Sequence, residues 1–328
     1  MLNIIGGAGF IGTRLCHRLK QARRPFKITD KSVSLFFPDE THLGDVRDIQ
    51  DLRKTVTEGS MLINLAAEHR DDVYPLELYD EVNVGGAKNI CEVAREKNIQ
   101  KIIFTSSVAV YGFARLGTNE SGKISPFNDY GRTKWEAEQI YKEWQAEDSE
   151  NRTLVILRPT VVFGESNRGN VFNLLKQIAS GKFLMVGDGQ NRKSMAYVEN
   201  VAAFLEYSLG FKPGVYIYNY LDKPDFTMNQ LVGHVNKLLG RSTEIKFRLP
   251  FSVGFLIGKS FDLIARLTGR KFSISAIRVK KFCADSVYES AIHSTGFSPP
   301  ISLIDAIEKT VRYEFIENHK SEQIFYSE

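Results

Sequence analysis

The stretch Gly6-Gly7-Ala8-Gly9-Phe10-Ile11-Gly12 decides the fold. It directly follows the apolar run Leu2–Ile5 and opens a helical pattern over Gly9–Ala22, so a buried strand meets a helix through a glycine-rich turn. In such a turn the first glycine permits the sharp bend, the second lets backbone N–H groups approach a pyrophosphate, and the third lets the helix pack closely on the sheet. We therefore predict a dinucleotide-binding turn with contacts from Gly6, Gly9, Phe10, Ile11 and Gly12.

The residue that follows the second predicted strand bears on the choice of dinucleotide. The strand Phe26–Thr29 leads into Asp30, which lies eighteen residues after Gly12. A carboxylate at this place accepts a hydrogen bond from the adenosine ribose diol and repels a 2′-phosphate. Asp30 therefore favours NAD over NADP.

Short apolar runs alternate with helical patterns through the first half of the chain. The runs are Leu2–Ile5, Phe26–Thr29, Met61–Leu65, Lys101–Thr105 and Thr153–Leu157. Runs of this kind are typical of strands buried on both faces. The helical patterns between them include Gly9–Ala22, Val84–Lys97 and Gly131–Glu147. The alternation predicts an α/β fold with a Rossmann-type, doubly wound parallel sheet.

After Gly164 the pattern changes to helices interleaved with isolated short strands. The predicted helices lie around Val171–Ser180, Asn200–Leu209, Thr227–Leu239 and Ser302–Phe315, and the strands at Phe183–Val186 and Val215–Tyr218. We predict an NAD-binding domain over 1–165, to which the chain returns around 192–222, and a smaller α+β substrate-binding lobe over 166–328. The tail Asn318–Glu328 is polar enough that we expect it to be frayed.

A candidate general base follows the fourth apolar run. Tyr130 and Lys134 are four residues apart in a helical pattern, so they lie on one face of the helix. A nearby ammonium and a positively charged nicotinamide lower the pKa of a phenol from about 10 towards neutrality. Tyr130 can then accept a proton from a sugar or alcohol hydroxyl. Ser107, at the carboxyl end of a strand, is placed to hydrogen-bond the same substrate oxygen.

Composition and charge exclude several classes of protein. The chain has 328 residues, a net charge of +4 and 43% hydrophobic residues, which is typical of globular proteins. The three cysteines are far apart and odd in number, so we expect no disulfide framework and a cytoplasmic location. No apolar run reaches the roughly 20 residues of a membrane span. The six histidines show no metal-ligand spacing, so we expect no metal and, since the charge is not globally basic, no nucleic acid.

The charge is concentrated in one segment. Between Arg241 and Lys281 there are ten Lys and Arg residues against two acidic ones, so this segment carries +8 and the remainder −4. Within it, Leu249–Leu267 interleaves large apolar residues with Lys259 and Arg266. An apolar helix flanked by cations can lie in a membrane interface and contact anionic headgroups. The alternative is that the apolar residues cap the substrate lobe while the cations bind a substrate diphosphate.

Six motifs in order make the chain similar to one family. They are Gly-Gly-Ala-Gly-Phe-Ile-Gly (6–12), Gly-Asp-Val-Arg-Asp (44–48), Asn-Leu-Ala-Ala (64–67), Ser-Ser-Val-Ala-Val-Tyr-Gly (106–112), Tyr-x-x-x-Lys (130–134) and Leu-Arg-Pro-x-x-Val-Phe-Gly (157–164). The sequence resembles the extended short-chain dehydrogenase/reductase family, in its NAD-dependent sugar epimerase/dehydratase branch. The motifs cover the first half densely and the second half thinly.

The resemblance implies roles for further residues. It implies Ser107, Tyr130 and Lys134 as catalytic residues, and it places Asn83 near the ribose and Pro159 near the nicotinamide. It also implies that Asp45 and Val46 lie near the adenine, and that Leu65, Ala66 and Ala67 lie along the cofactor. The helices Val84–Lys97 and Gly131–Glu147 resemble those that form a homodimer interface in this family.

The resemblance also narrows the reaction. Sugar dehydratases of the family carry Thr-Asp-Glu where this chain has Ser107-Val108-Ala109, so the carboxylates that eliminate water are absent here. We therefore expect a 4-epimerase that passes through a 4-keto sugar. An NAD(P)-dependent reductase of a keto-sugar or other ketone is the alternative, and a non-catalytic NAD-binding protein is a second.

The substrate is expected to be a sugar diphosphate, such as an N-acetylhexosamine on UDP or on undecaprenyl diphosphate. Family members bind the diphosphate with an Arg-Asp pair, for which this chain has Lys193-Ser194, with Arg192 just before. Arg192 and Lys193 can neutralise a diphosphate. Asn170 and Asn173 are further candidate contacts, although an Asn at a helix start is more often a cap. An undecaprenyl carrier would accord with the basic apolar segment and with surface polysaccharide synthesis at the cytoplasmic face of a membrane.

Overall fold

The structure is a computed structural model that describes residues 1–70, 73–245, 247–269, 275–317, 319 and 323–326. Its strands, in chain order, are β1 (Leu2–Ile5), β2 (Phe26–Asp30), β3 (Thr41–Leu43), β4 (Met61–Asn64), β5 (Lys101–Thr105), β6 (Thr153–Pro159), β7 (Val161–Phe163), β8 (Met185–Val186), β9 (Arg192–Tyr197), β10 (Gly214–Tyr220), β11 (Asp222–Thr227) and β12 (Arg248–Leu249). Seven of them form one parallel sheet in the order β10-β6-β5-β4-β1-β2-β3.

The helices cover both faces of that sheet and build the second lobe. They are α1 (Phe10–Gln21), α2 (Ile49–Thr55), α3 (Glu77–Tyr79), α4 (Gly86–Glu96), α5 (Asp129–Ala146), α6 (Asn170–Ala179), α7 (Val198–Tyr207), α8 (Met228–Leu238), α9 (Phe251–Thr268), α10 (Ala276–Cys283) and α11 (Leu303–Phe315). A π-helical turn at Asp80–Gly85 joins α3 to α4, and a 3₁₀ turn at Val108–Tyr111 follows β5. Across the described ranges, no helix combines the length and the apolar character needed to cross a membrane.

Alternation along the strands builds a core on each face of the large sheet. Ile4 and Ile63 are completely buried against α1 and α7, whereas their neighbours Ile5 and Leu62 are buried on the opposite face against α2, α4 and α5. Successive side chains of a strand point to opposite faces, so a continuous apolar run fills both cores. The predicted α/β fold with a doubly wound parallel sheet is confirmed.

The second lobe is built on smaller sheets, and the chain enters it twice. Strands β11, β9 and β7 form one mixed sheet, and β12 pairs with β8 in another. Between these visits, β10 returns to the edge of the large sheet and pairs in parallel with β6 over its whole length. The strand expected at Val215–Tyr218 therefore extends the large sheet instead of standing alone.

The end of the chain does not fray where the structure describes it. Phe325 is buried, its N–H donates to the carbonyl of Ser166 (2.8 Å), and its carbonyl accepts from the N–H of Arg168 (2.7 Å). Its ring lies 5.6 Å from that of Phe10 in the glycine-rich turn. The expectation of a frayed tail is wrong for residues 323–326, because the Phe325 side chain is buried against Phe10. Residues 318, 320–322 and 327–328 lie outside the described residues.

Candidate active site

The glycine-rich turn has the geometry that a dinucleotide requires. Gly6 has a φ of 78°, and a Cβ at Gly12 would lie 2.6 Å from the Cα and the carbonyl oxygen of Gly7, so neither position accepts a side chain without strain. Helix α1 starts at Gly9 without a side-chain cap and with no acidic residue in its first turn. Its uncapped N–H groups and positive dipole end are therefore available to an anion such as a pyrophosphate.

Asp30 lies at the end of β2, beside this turn. One carboxylate oxygen accepts from the N–H of Ala8 (3.0 Å) and the other from the N–H of Ser32 (3.1 Å). Burial raises the pKa of Asp30, while the hydrogen bonds from the backbone oppose that shift. These bonds fix the carboxylate at the carboxyl end of β2, and each oxygen keeps a lone pair for the predicted ribose contact.

The segment Leu65–Ala67 follows β4 and lies at the same end of the sheet. A Cβ at Gly6 would lie 2.6 Å from the backbone nitrogen of Ala66, so this segment and the glycine-rich turn are in close contact. Buried Asn83 holds the end of the segment, since its amide accepts from the N–H of Glu68 (2.9 Å) and donates to Glu68 O and Thr133 Oγ1 (both 3.0 Å). Both N–H donors of Asn83 are thus used within the protein. The predicted contact with the ribose would therefore use the second lone pair of its amide oxygen.

The other residues predicted to contact the cofactor also lie near the carboxyl ends of the strands of the large sheet. Asp45 faces Arg47, whose guanidinium grips both carboxylate oxygens at 2.7–3.1 Å and holds the pKa of Asp45 below its usual range. Val46 is buried against Gly86 at the start of α4, and Pro159 ends β6. The turn, the Asp30 carboxylate and the Leu65–Ala67 segment lie together at the carboxyl end of the sheet, so the residues present fit NAD.

Ser107 and Tyr130 meet at the carboxyl end of β5. Ser107 Oγ caps the following 3₁₀ turn by accepting from the N–H of Ala109 (3.1 Å), and its hydroxyl is hydrogen-bonded to the Tyr130 phenol. Burial raises the pKa of Tyr130 to about 12, and the hydrogen bond from Ser107 opposes this shift. The two side chains that were predicted to share one substrate oxygen are therefore brought together by the fold.

Lys134 lies one turn further along α5, on the same face as Tyr130. Its side chain is buried, with Nζ 4.3 Å from the centre of the Phe104 ring. Burial lowers the pKa of Lys134 to about 7, and the negative charge of Glu138 opposes this by favouring the ammonium. The Lys134 side chain is thus desolvated one turn from the candidate base, and its charge, when it is protonated, acts more strongly on its neighbours than it would in water.

Gly131 is a residue whose role the sequence analysis missed. A Cβ at this position would lie 2.4 Å from the carbonyl oxygen of Ala109, so only glycine lets α5 begin against the turn that follows Ser107. Asn128 fixes this start by accepting from the N–H of Gly131 (3.0 Å). The close approach is what places Tyr130 beside Ser107. A glycine directly after the Tyr was the available signal.

A buried ion pair behind the predicted catalytic residues was also missed. Arg158 and Glu138 form a two-pronged pair with N–O distances of 2.6 and 2.8 Å, and both side chains are almost fully buried. Ser106, next to Ser107, donates to the same carboxylate at 2.6 Å, and Arg158 donates to the Tyr111 hydroxyl at 2.7 Å. These hydrogen bonds link α5 to β6 and to the residue that follows β5, next to the predicted catalytic side chains.

The predicted substrate contacts behave differently from one another. The Arg192 side chain is exposed at the start of β9. Lys193 instead donates to the backbone carbonyls of Lys281 (2.8 Å) and Ala284 (2.6 Å), at the C-terminal end of α10. Asn170 and Asn173 are exposed on the first turn of α6. Of the two cations, Arg192 keeps an exposed side chain, whereas the Lys193 ammonium is used within the protein.

The remaining candidate chemistry is unremarkable. All three cysteines are free thiols, and burial raises the pKa of both Cys16 and Cys91. Among the described residues, no group of three or more His, Cys, Asp or Glu side chains is arranged to hold a metal ion.

Comparison with known proteins places the chain among sugar-modifying enzymes. The model of the NAD dependent epimerase/dehydratase family matches residues 2–219. The chain is 46% identical over 329 residues to N-acetyl-alpha-D-glucosaminyl-diphospho-ditrans,octacis-undecaprenol 4-epimerase of Escherichia coli O157:H7, covering 99% of this chain and 98% of that protein. It is 28% identical to UDP-glucose 4-epimerase of Vibrio cholerae, with 94% of each chain covered.

Solved structures share the fold. The structure of UDP-glucose 4-epimerase from Bifidobacterium longum in complex with NAD+ and UDP matches with a TM-score of 0.72 and 18% identity, over 95% of this chain and 97% of that one. UDP-glucuronic acid 4-epimerase from Bacillus cereus in complex with NAD matches with a TM-score of 0.71 and 19% identity, with the same coverage. At this identity the likeness establishes the architecture.

Proposed function

The chain belongs to the NAD dependent epimerase/dehydratase family, and we propose that it epimerises C4 of an N-acetylhexosamine linked through a diphosphate to a polyprenol such as undecaprenol. The observation that carries this proposal is the 46% identity, over nearly the whole of both chains, to the undecaprenol-linked N-acetylglucosamine 4-epimerase of E. coli O157:H7. The same likeness favours an NAD-dependent sugar 4-epimerase over the two alternatives, the reductase and the non-catalytic NAD-binding protein.

The chain's own residues handle the proton of the sugar hydroxyl. Ser107 and the Tyr130 phenol, which are hydrogen-bonded to each other, both contact O4 of the sugar, and Tyr130 accepts its proton. When the sugar is reduced again, Tyr130 returns a proton to the same oxygen. NAD, when bound, supplies the hydride acceptor for C4 and, in its oxidised form, a positive charge that favours the phenolate.

Lys134 tunes this base. In the protein alone, burial holds the Tyr130 phenol protonated at neutral pH, since its pKa lies at about 12. An ammonium one turn away lowers that value, and Glu138 helps Lys134 to keep its proton although burial brings the pKa of Lys134 to about 7. Lys134 therefore acts on the reaction by stabilising negative charge on the base.

The carrier is tested by a paired turnover assay. One enzyme preparation receives undecaprenyl-diphosphate-linked N-acetylglucosamine and, separately, UDP-N-acetylglucosamine, and both products are scored for the C4 epimer. We expect the epimer from the lipid-linked sugar only, because the chain is 46% identical to a lipid-linked sugar epimerase and 28% identical to a UDP-glucose 4-epimerase. Epimer from the UDP-sugar alone would contradict the proposed carrier, and no epimer from either would contradict the proposed reaction.

Helix α9 supports a polyprenyl carrier because it presents its apolar side to the solvent. Its buried positions are Gly254 and Gly258, one turn apart. A Cβ at Gly258 would lie 2.6 Å from the backbone nitrogen of Ala276 at the start of α10, and a Cβ at Gly254 would lie 2.8 Å from the Val186 side chain. The other side, here called the α9 apolar face, consists of exposed Val253, Leu256, Ile257, Leu263, Ile264 and Leu267. An amphipathic helix whose apolar side faces outward is typical of a membrane interface.

Exposed cations lie on α9 and on the helix packed against it. Lys259 and Arg266 lie on α9 itself, and Arg278, Lys280 and Lys281 lie on the neighbouring α10. Of the ten cations in the basic segment, Lys246, Arg270 and Lys271 lie outside the described residues. Exposed cations beside an exposed apolar face fit a surface of anionic lipids. We therefore propose that the enzyme binds the cytoplasmic face of a membrane through α9.

Vesicle flotation tests this surface with Leu256→Glu. Leu256 is 68% exposed in the α9 apolar face, and a carboxylate there loses the apolar transfer energy and is repelled by anionic lipid. We expect binding to phosphatidylglycerol vesicles at low salt to fall at least tenfold. The matched control is Leu35→Glu, a leucine of the NAD-binding domain that is 71% exposed. Equal loss in both variants, or no flotation of the wild type, would contradict the proposal.

We also propose a homodimer formed through α4 and α5. These helices lie side by side on one face of the large sheet, and an ion pair between Arg95 and Glu147 (2.6 Å) joins their C-terminal ends. The pairing of such helices across two subunits is what the family resemblance implies. A solution mass from light scattering that equals one chain would contradict it.

A further inference from the structure

Two aromatic rings stand exposed beside the catalytic residues. The side chains of Phe113 and Phe127 are 69% and 46% exposed, and their rings lie 4.8 Å apart at an angle of 32°. Phe113 comes just after the turn that begins at Ser107, and Phe127 lies three residues before Tyr130. An exposed apolar pair on the segment that joins Ser107 to Tyr130 has no role in the proton chemistry and is available to an apolar group of the ligand. We call this pair the aromatic shelf.

The shelf is held in place by the backbone beneath it. The N–H of Ser125 donates to the carbonyl of Val110 (3.0 Å), which joins the two loops that carry the rings. Gly112 has a φ of 63°, and a Cβ there would lie 2.0 Å from the carbonyl oxygen of Ser125, so the loops approach as closely as a glycine allows. The two rings are therefore presented as a preformed surface.

A cation joins the shelf to the helices that carry the α9 apolar face. Lys281 Nζ lies 4.6 Å from the centre of the Phe127 ring, and Lys281 belongs to α10, which packs on α9. Arg192 comes from the same side of the lobe, because the N–H of Ser286, three residues after Cys283 at the end of α10, donates to its carbonyl (2.9 Å). The cation Lys281 thus lies on the aromatic shelf, and its helix α10 connects the shelf to α9.

We propose that the aromatic shelf formed by Phe113 and Phe127 binds the first isoprenoid units of the polyprenyl group of the substrate. The inference rests on the proposed function, in which sugar, diphosphate and lipid follow one another in the substrate. With the sugar at Tyr130, the contact between Lys281 and Phe127 offers a cation to the diphosphate beside apolar rings for the start of the lipid chain. Two phenylalanine rings offer apolar area without hydrogen-bonding groups, which suits an isoprenoid.

The rival occupant of two exposed rings is a uracil base, which would stack on them. The test therefore compares three substrates of the full-length enzyme: N-acetylglucosamine diphosphate esterified with a two-unit isoprenoid, the same diphosphate as its methyl ester, and UDP-N-acetylglucosamine. The variant is Phe113→Ser with Phe127→Ser. Because both rings are exposed, we expect its thermal unfolding midpoint to match that of the wild type.

We expect the variant to lower kcat/KM for the isoprenoid ester about thirtyfold, through a higher KM, and to leave kcat/KM for the methyl ester unchanged. The control Phe36→Ser, at another partly exposed phenylalanine, is expected to leave both unchanged. An equal loss on the isoprenoid and methyl esters, or no loss on either, would overturn the shelf while the proposed function stands. If the wild type also epimerises the UDP-sugar, a loss confined to that substrate would overturn the proposal and assign the shelf to a base. Failure of the wild type to epimerise any isoprenoid-linked sugar would overturn the function and the shelf together.

Discussion

Replacing Tyr130 by Phe is expected to lower kcat at least a thousandfold while the protein still holds NAD. The substitution removes one hydroxyl, the group that accepts the sugar proton, and general acid–base catalysis contributes about 10² to 10⁴ in rate. The glycine-rich turn, Asp30 and the Leu65–Ala67 segment, which are predicted to bind the cofactor, do not depend on that hydroxyl. The measurements are single-turnover epimerisation and the molar ratio of NAD that remains with the purified protein.

The matched control for this loss is Tyr74→Phe, which removes the hydroxyl of a tyrosine that is 90% exposed. We expect this variant to retain the wild-type rate. If Tyr130→Phe kept activity within a few-fold of the wild type, Tyr130 would not be the base, and the roles proposed for Ser107 and Lys134 would have to be reassigned with it.

Replacing Glu138 by Gln is expected to lower the free energy of unfolding by about 3–5 kcal/mol. The change removes the charge that pairs with buried Arg158 and leaves the guanidinium without an ionic partner in a site that excludes water. It also withdraws the carboxylate that accepts from Ser106 and that favours the ammonium of Lys134. Thermal or denaturant unfolding of the cofactor-free protein measures the loss, and turnover is expected to fall as well.

Two further variants distinguish the stability lost by leaving a buried charge unpaired from the stability lost by removing any carboxylate of α5. Glu136→Gln, two residues earlier on α5, breaks a partly exposed ion pair with Arg132 and is expected to cost no more than about 1 kcal/mol. Adding Arg158→Met to Glu138→Gln removes both buried charges, so we expect part of the lost stability to return. An unfolding midpoint for Glu138→Gln equal to that of Glu136→Gln would contradict the assigned role of the pair.

Local pattern was sufficient for the large sheet and the catalytic helix. The bounds expected for Leu2–Ile5 and Lys101–Thr105 are those of β1 and β5, because a short and nearly continuous apolar run is typical of a strand buried on both faces. The Tyr130–Lys134 spacing likewise determines which residues share a helix face, since the period of the helix is fixed. The edge strand β3, with two of its three residues exposed, lacks the continuous apolar pattern and was missed.

Features that depend on contacts between distant segments could not be read from the pattern. Glu138 and Arg158 are twenty residues apart, and neither the helix nor the strand that carries them shows that their charges meet. The same holds for Lys193, whose ammonium is used by carbonyls about ninety residues away, and for Phe325, which packs on the ring of Phe10.

The sequence by itself thus determined the NAD-binding fold and the order of its strands and helices along the chain, and it predicted Ser107, Tyr130 and Lys134 as one catalytic group. These depend on backbone geometry and on periodicities that act within a few residues. Only the tertiary structure decided which side of α9 faces outward, which of Arg192 and Lys193 remains exposed, and which rings border the active site. An apolar or charged side chain has the same sequence signature whether it is buried or exposed, and the packing of distant segments makes that choice.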